Sequence, residues 1–157
     1  MKTYSAEETR RLGQRLAGQL RPGDVVLLRG NLGSGKSELI RGLARGLGVT
    51  EVVTSPSFTI LNIYESGRIP LYHFDWYRLE SEEELYELGM DEYLGGERIT
   101  AVEWPDQCPG ALPEDALSIE IRPEGEDARE ITLRPLGRFH GISEEKLTED
   151  KTEGAFQ

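Results

Sequence analysis

A lysine and a hydroxyl stand side by side at the end of Gly30-Asn31-Leu32-Gly33-Ser34-Gly35-Lys36-Ser37. Gly30, four residues, then Gly35-Lys36-Ser37 match the phosphate-binding pattern G-x-x-x-x-G-K-[ST] at every fixed position. The chemistry needs this spacing. The glycines let the backbone curl until several N–H groups converge on one anion. Lys36 adds a point charge for the outer phosphates, and the hydroxyl of Ser37 is a ligand type that Mg²⁺ accepts. A helix starting near Lys36 would turn the positive end of its dipole to the same spot. The third glycine of a dinucleotide fingerprint is missing, because Glu38 stands there, which argues against NAD or FAD.

Two carboxylates follow at the ends of apolar runs. Ile99 to Val102 is a short, mostly apolar run closed by Glu103 and followed by Trp104-Pro105. Parallel strands read this way, ligands collect at their carboxyl ends, and a carboxylate there holds Mg²⁺ directly or through water. Asp75 closes the run Ile69 to Phe74 and precedes Trp76-Tyr77-Arg78. It reads either as a group near the phosphates or as a cap of the following turn. His73, between aromatic residues, reads as a hydrogen-bonded core histidine rather than a metal ligand. Arg78 reads as a residue that pairs with a carboxylate and holds its loop.

The elements that must position these groups are legible from periodicity. Ser5-Ala6-Glu7-Glu8 is a capping box, and Leu12, Leu16, Ala17 and Leu20 then recur at helical spacing. Pro22-Gly23-Asp24 ends that helix. Val25 to Leu28 reads as the strand before the phosphate loop. Leu39, Ile40, Leu43 and Leu47 give the helix after it, stopped at Gly48. A hydroxyl-rich loop, Thr54-Ser55-Pro56-Ser57, leads into an alternating strand over 58–63. Ser66-Gly67-Arg68 is a hairpin turn and Ile69 to Phe74 the returning strand. Ser81-Glu82-Glu83-Glu84 repeats the capping pattern before a short helix with Leu85 and Leu88 inside, and Asp91 to Leu94 forms a further turn. Leu117, Ile119 and Ile121, then Ile131 and Leu133, alternate on either side of a turn at 124–127, which predicts an antiparallel pair.

The 157 residues, 37% hydrophobic and 30% charged, suit one globular domain. We assign 1–140 to it and read 141–157 as an acidic tail, mobile or helical from Glu144 and outside the core. No apolar run approaches the roughly 20 residues that span a bilayer. No signal peptide is expected, and the lone Cys108 fits a cytoplasmic protein. The formal net charge of −11 disfavours broad contact with a nucleic-acid backbone. Arg10, Arg11, Arg15, Arg41 and Arg45 could form a local basic patch, although a solvated helix face accounts for them more simply.

Taken together with the phosphate loop, three segments carry a resemblance. They are Val53-Thr54-Ser55-Pro56-Ser57-Phe58-Thr59, Tyr72-His73-Phe74-Asp75-Trp76-Tyr77-Arg78-Leu79 and Val102-Glu103-Trp104-Pro105. In this order, over about Ser5 to Pro135, they resemble the TsaE (YjeE) family of bacterial ATPases, which works in making threonylcarbamoyladenosine on tRNA. The resemblance implies a three-layer α/β P-loop fold with a mostly parallel central sheet and antiparallel hairpin strands. It implies ATP and Mg²⁺ as cofactors, with nucleotide held by Leu32, Gly33, Ser34, Gly35, Lys36, Ser37 and Glu38 and, by a loose match, Thr9. Ser37 and Glu103 match metal positions, Asp75 matches an aspartate implicated in activity alongside Lys36, and Thr54 to Phe58 resembles a nucleotide-responsive loop. Implied partners are TsaD and TsaB, with tRNA reached only through them and no membrane. Ser37 and Ser57 stand where threonine is usual, and Glu38 replaces a commoner small hydroxyl residue, adding negative charge near the nucleotide. Two other readings stay open: a nucleotide-sensing module with little hydrolysis, and a small-molecule kinase. The absence of an Arg-dense lid segment disfavours the kinase.

Overall fold

The computed structural model describes residues 1–56 and 58–148. The reading of Ser57 and of the tail beyond Thr148 lies outside the described residues. In chain order the elements are β1 (Lys2–Thr3), α1 (Ala6–Ala17), β2 (Val25–Arg29), α2 (Lys36–Leu47), β3 (Leu61–Tyr64), β4 (Leu71–Asp75), α3 (Glu82–Glu87), β5 (Ile99–Glu103), β6 (Ala116–Glu124), β7 (Ala128–Leu136) and α4 (Glu144–Leu147).

The strands form a seven-stranded sheet in the order β1-β7-β6-β2-β5-β4-β3. Its central strands β6, β2, β5 and β4 run parallel. The outer strands β1, β7 and β3 pair antiparallel with their neighbours. Side chains alternate across the sheet, so each strand feeds two layers. Val26, Leu28, Leu71, Ile99, Ala101, Leu117 and Ile119 pack under α1 and α2. Val25, Leu27, Phe74 and Val102 face the other way, against Trp76, Leu79 and Leu85. This is the three-layer α/β arrangement that the sequence implies.

Local chemistry sets the element ends. The Ser5 side chain accepts from the Glu8 N–H at 3.1 Å, and Glu8 Oε2 reaches back to the Tyr4 N–H at 2.7 Å, one residue before the usual partner. Gly48 closes α2 in the left-handed conformation, as a C-terminal glycine does. Between α1 and α2 the backbones approach so closely that a Cβ on Gly42 would collide with the Arg10 carbonyl. That crossing brings Arg10 beside the N-terminus of α2.

Several expectations need correction. The strand read over 58–63 begins only at Leu61. Ile60 has φ 69°, a costly conformation for a β-branched residue, and its N–H donates to the Pro56 carbonyl, which turns the chain before the strand can start. Ser81 does precede α3, but its side chain makes no capping hydrogen bond; Glu84 instead accepts from the Glu80 N–H at 3.4 Å. Leu85 is buried as expected, while Leu88 is 53% exposed because the helix ends there. The segment after residue 140 is not wholly outside the core. Ser143 caps α4, its N–H donates to Gln19 Oε1 at 2.8 Å, and Leu147 is buried in the layer of α1 and α2. Leu147, Ile142 packed against the same layer, and the hydrogen bonds between Gln19 and Ser143 together dock this stretch. Among the described residues, no helix is long and apolar enough to cross a membrane.

Candidate nucleotide-binding site

The carboxyl ends of β2, β4 and β5 open onto a cleft of about 400 Å³. Its lining includes Leu32, Gly33, Ser34, Gly35, Lys36, Ser37, Glu38, Asp75, Glu103 and Trp104, with Ala6, Ser55 and Arg129. All the site residues read from the sequence therefore meet here except Thr9. Thr9 is buried at the start of α1, its hydroxyl bonded to that of Thr3 at 2.7 Å and to the Ser5 carbonyl at 3.3 Å. Another cavity, of about 410 Å³, lies on the far side of Gly30 and Trp104, away from Lys36 and both carboxylates.

The loop from Gly30 to Gly35 connects β2 to α2, and Gly35 takes φ 112°, which a side chain would strain. The first intrahelical bond runs from the Leu39 N–H to the Gly35 carbonyl at 3.1 Å, so the N–H groups of Gly35 to Glu38 have no partner within the helix. Such a helix end is suited to receive an anion. The Lys36 ammonium donates to the Gly30 carbonyl at 2.7 Å and lies 3.7 Å over the Trp104 ring. Burial pulls its pKa below the ordinary lysine value, while the Glu103 and Asp75 carboxylates oppose that fall.

Asp75 and Glu103 are direct neighbours across β4 and β5. One Asp75 oxygen accepts from the Tyr77 N–H at 2.9 Å, so Asp75 caps the turn and lines the cleft at once. The two readings left open by the sequence are compatible. His73 is buried and its Nε2 meets Glu103 Oε2 at 2.6 Å, leaving Oε1 for another ligand. That is the kind of outer partner that fixes a metal-binding carboxylate. His73 sits opposite Ala101, so Glu103, two residues on, is on its face of the sheet. Among the described residues Arg78 pairs with no carboxylate, against expectation; it stacks over Phe58 at 4.3 Å.

The extra charge of Glu38 is compensated. Arg10 reaches Glu38 Oε2 at 2.8 Å and Arg41 reaches Oε1 at 2.7 Å. Arg10 also meets Glu7 at 2.8 Å, and Arg45 meets Glu7 at 3.3 Å. These arginines are engaged with carboxylates rather than gathered into a basic patch. Arg10→Gln is therefore expected to weaken nucleotide binding several-fold by leaving Glu38 less compensated beside the phosphates. In a Glu38→Gln background the same change should have little effect, a coupling that calorimetry on the four proteins measures directly.

The sequence reading missed three parts of this site: the hold of His73 on Glu103, the compensation of Glu38 by Arg10, and Arg129. The first was within reach, because two adjacent strand ends place residues of equal parity on one face. The other two depend on a helix crossing and on strand order.

Comparison with known proteins identifies the family. Residues 3–131 match the family model described as "Threonylcarbamoyl adenosine biosynthesis protein TsaE". The chain belongs to the TsaE family. A TsaE of Bacillus subtilis, named a tRNA threonylcarbamoyladenosine biosynthesis protein, is 43% identical over 150 residues, covering 95% of this chain and 94% of the relative. The TsaE of Treponema pallidum, similarly named, is 41% identical over 129 residues, covering 82% of this chain and 95% of the relative. The crystal structure of Bacillus subtilis YdiB superposes with a TM-score of 0.77 at 38% identity, covering 99% of this chain and 94% of that one. The TsaE relationship thus extends over the phosphate loop, both carboxylates and most of the sheet.

Proposed function

We propose that this chain is the Mg²⁺-dependent, ATP-binding and ATP-hydrolysing component of the machinery that makes threonylcarbamoyladenosine on tRNA. The observation that carries this is the convergence of the phosphate loop, Lys36, Ser37, Asp75 and Glu103 in one cleft. Family membership supports the pathway. The partners are TsaD and TsaB, as the motif resemblance implies, and hydrolysis is slow without them. The engagement of Arg10, Arg41 and Arg45 with Glu7 and Glu38 supports contact with tRNA through those partners rather than through this chain.

The donors suit Mg²⁺. Among the described residues, no three His, Cys, Asp or Glu side chains form a metal cluster by themselves. A hard cation that binds through one or two protein oxygens, phosphate and water needs no such cluster. Ser37 and Glu103 would hold it, with His73 fixing Glu103. When bound, it neutralises phosphate charge. The chain's own groups do the rest: the α2 amides and Lys36 orient the phosphates, and Asp75 orients water near them. Lys36 lies over Trp104 at the same wall of the cleft.

Ser37→Ala and Glu103→Gln are each expected to raise the Mg²⁺ concentration giving half-maximal hydrolysis, since each removes one of few protein ligands. A Mg²⁺ titration of phosphate release reads this. An unmoved midpoint in Glu103→Gln would make Glu103 a strand-end residue with no metal role.

A further inference from the structure

Arg129 belongs to β7, two strands beyond β5 and the last motif of the sequence, yet its side chain lies against the phosphate loop. Its Nε donates to the Ser34 carbonyl at 2.7 Å and its Nη2 to the Gly33 carbonyl at 3.4 Å. Its Nη1 donates to the carbonyls of Glu126 and Ala128 at 3.1 and 2.8 Å. The guanidinium is thus clamped between the β6–β7 turn and two consecutive carbonyls of the loop. A planar fork is needed to reach both.

The described chain has no cis peptide, and across a trans peptide the carbonyl and the next N–H point in opposite directions. Drawing the Ser34 carbonyl towards Arg129 therefore turns the Gly35 N–H the other way, away from Arg129. Gly35 is also the residue with no side chain at φ 112°, packed 3.5 Å from Arg129 Nε at the position a Cβ would take. The acceptors of Arg129 are all carbonyls, and among the described residues no ion pair engages it. Its positive charge remains available at the wall of the cleft.

We propose that Arg129 is a nucleotide-positioning residue. It fixes the Ser34–Gly35 peptide so that the Gly35 N–H faces the bound phosphate. This rests on the phosphate-loop reading of the cleft. The peptide it sets serves the part of the ligand common to ADP and ATP, so both nucleotides depend on it equally. A sensor of the terminal phosphate would separate them.

Calorimetric binding of ADP and of ATP, each with Mg²⁺, to the parental chain, Arg129→Gln, Arg129→Lys and Arg129→Ala tests this. Arg129→Gln should weaken ADP and ATP by the same factor, about tenfold for a lost charge-assisted bond. Arg129→Lys should recover only part of that loss, since an ammonium keeps the charge but not the fork. Millimolar guanidinium ion, below concentrations that shift unfolding, should restore part of the affinity of Arg129→Ala. In the parental chain, the Gly35 amide and Arg129 Nε–H resonances should move together during an ADP titration. That measurement serves even if the variants fold poorly. Parental ADP affinity in folded Arg129→Gln, full recovery by Arg129→Lys, or an Arg129 Nε–H signal unmoved by saturating ADP would each overturn the proposal. A parental chain that binds neither nucleotide would overturn the phosphate-loop reading itself, a distinct result.

Discussion

Asp75→Asn is expected to keep or tighten ATP binding and to lower hydrolysis in the partner complex by about 10²-fold or more, the range of a positioned acid–base group. The substitution nearly preserves the shape of the side chain. Asp75 Oδ1 accepts from the Tyr77 N–H, and the amide oxygen of Asn retains that acceptor. The turn is preserved while the charge goes. A carboxylate beside Glu103 repels phosphate directly, so its loss does not weaken binding. Its place at the end of β4, lining the cleft, suits it to orient water near the phosphate undergoing transfer. Parental turnover by Asp75→Asn in that complex would reduce Asp75 to a turn cap.

Lys36→Ala should cost roughly tenfold or more in nucleotide affinity, corresponding to about 1.5–3 kcal/mol for a hydrogen bond to a charged group. Thermal unfolding must accompany the binding measurement, because the ammonium also satisfies the Gly30 carbonyl. The pH dependence has a definite sign. A polyanion favours the protonated lysine, so affinity is retained on the acid side and lost as pH rises through the Lys36 pKa. Burial lowers that pKa, so the loss begins below the range of an ordinary lysine. Within that window nucleotide binding takes up a proton, which calorimetry in buffers of different ionisation enthalpy detects. Full affinity in folded Lys36→Ala would remove the basis for the phosphate loop.

What the sequence made legible follows its short-range physics. The loop, its two flanks and the apolar runs ending at Asp75 and Glu103 depend on spacings within one element, and they fold as read. Ile60 shows the limit of that reading: alternation from Phe58 onward is correct for a strand, but a local turn held by Pro56 overrides it. Long-range placement was less accessible. The alternation of Leu117, Ile119 and Ile121 identifies a strand with one apolar face, but not that this strand pairs in parallel with β2. Without that neighbour, Arg129 on the next strand is one charged residue among many. Arg10 meets Glu38 only because α1 and α2 cross closely at Gly42, a contact no periodicity encodes. The surroundings of Thr9 were hidden for the complementary reason: its hydroxyl finds Thr3 on β1, a strand of two residues too short to be read from pattern.

The proposed function requires ATP hydrolysis at this cleft in concert with partner proteins. Its most direct test is phosphate release from ATP by the purified chain, alone and with proteins it captures in the presence of ATP, with and without Mg²⁺. The prediction is Mg²⁺-dependent release that is low for the chain alone, rises with the captured partners, and falls to background when Lys36→Ala replaces the parental chain. Release no greater than that of the Lys36→Ala control, with partners and Mg²⁺ present, would contradict it.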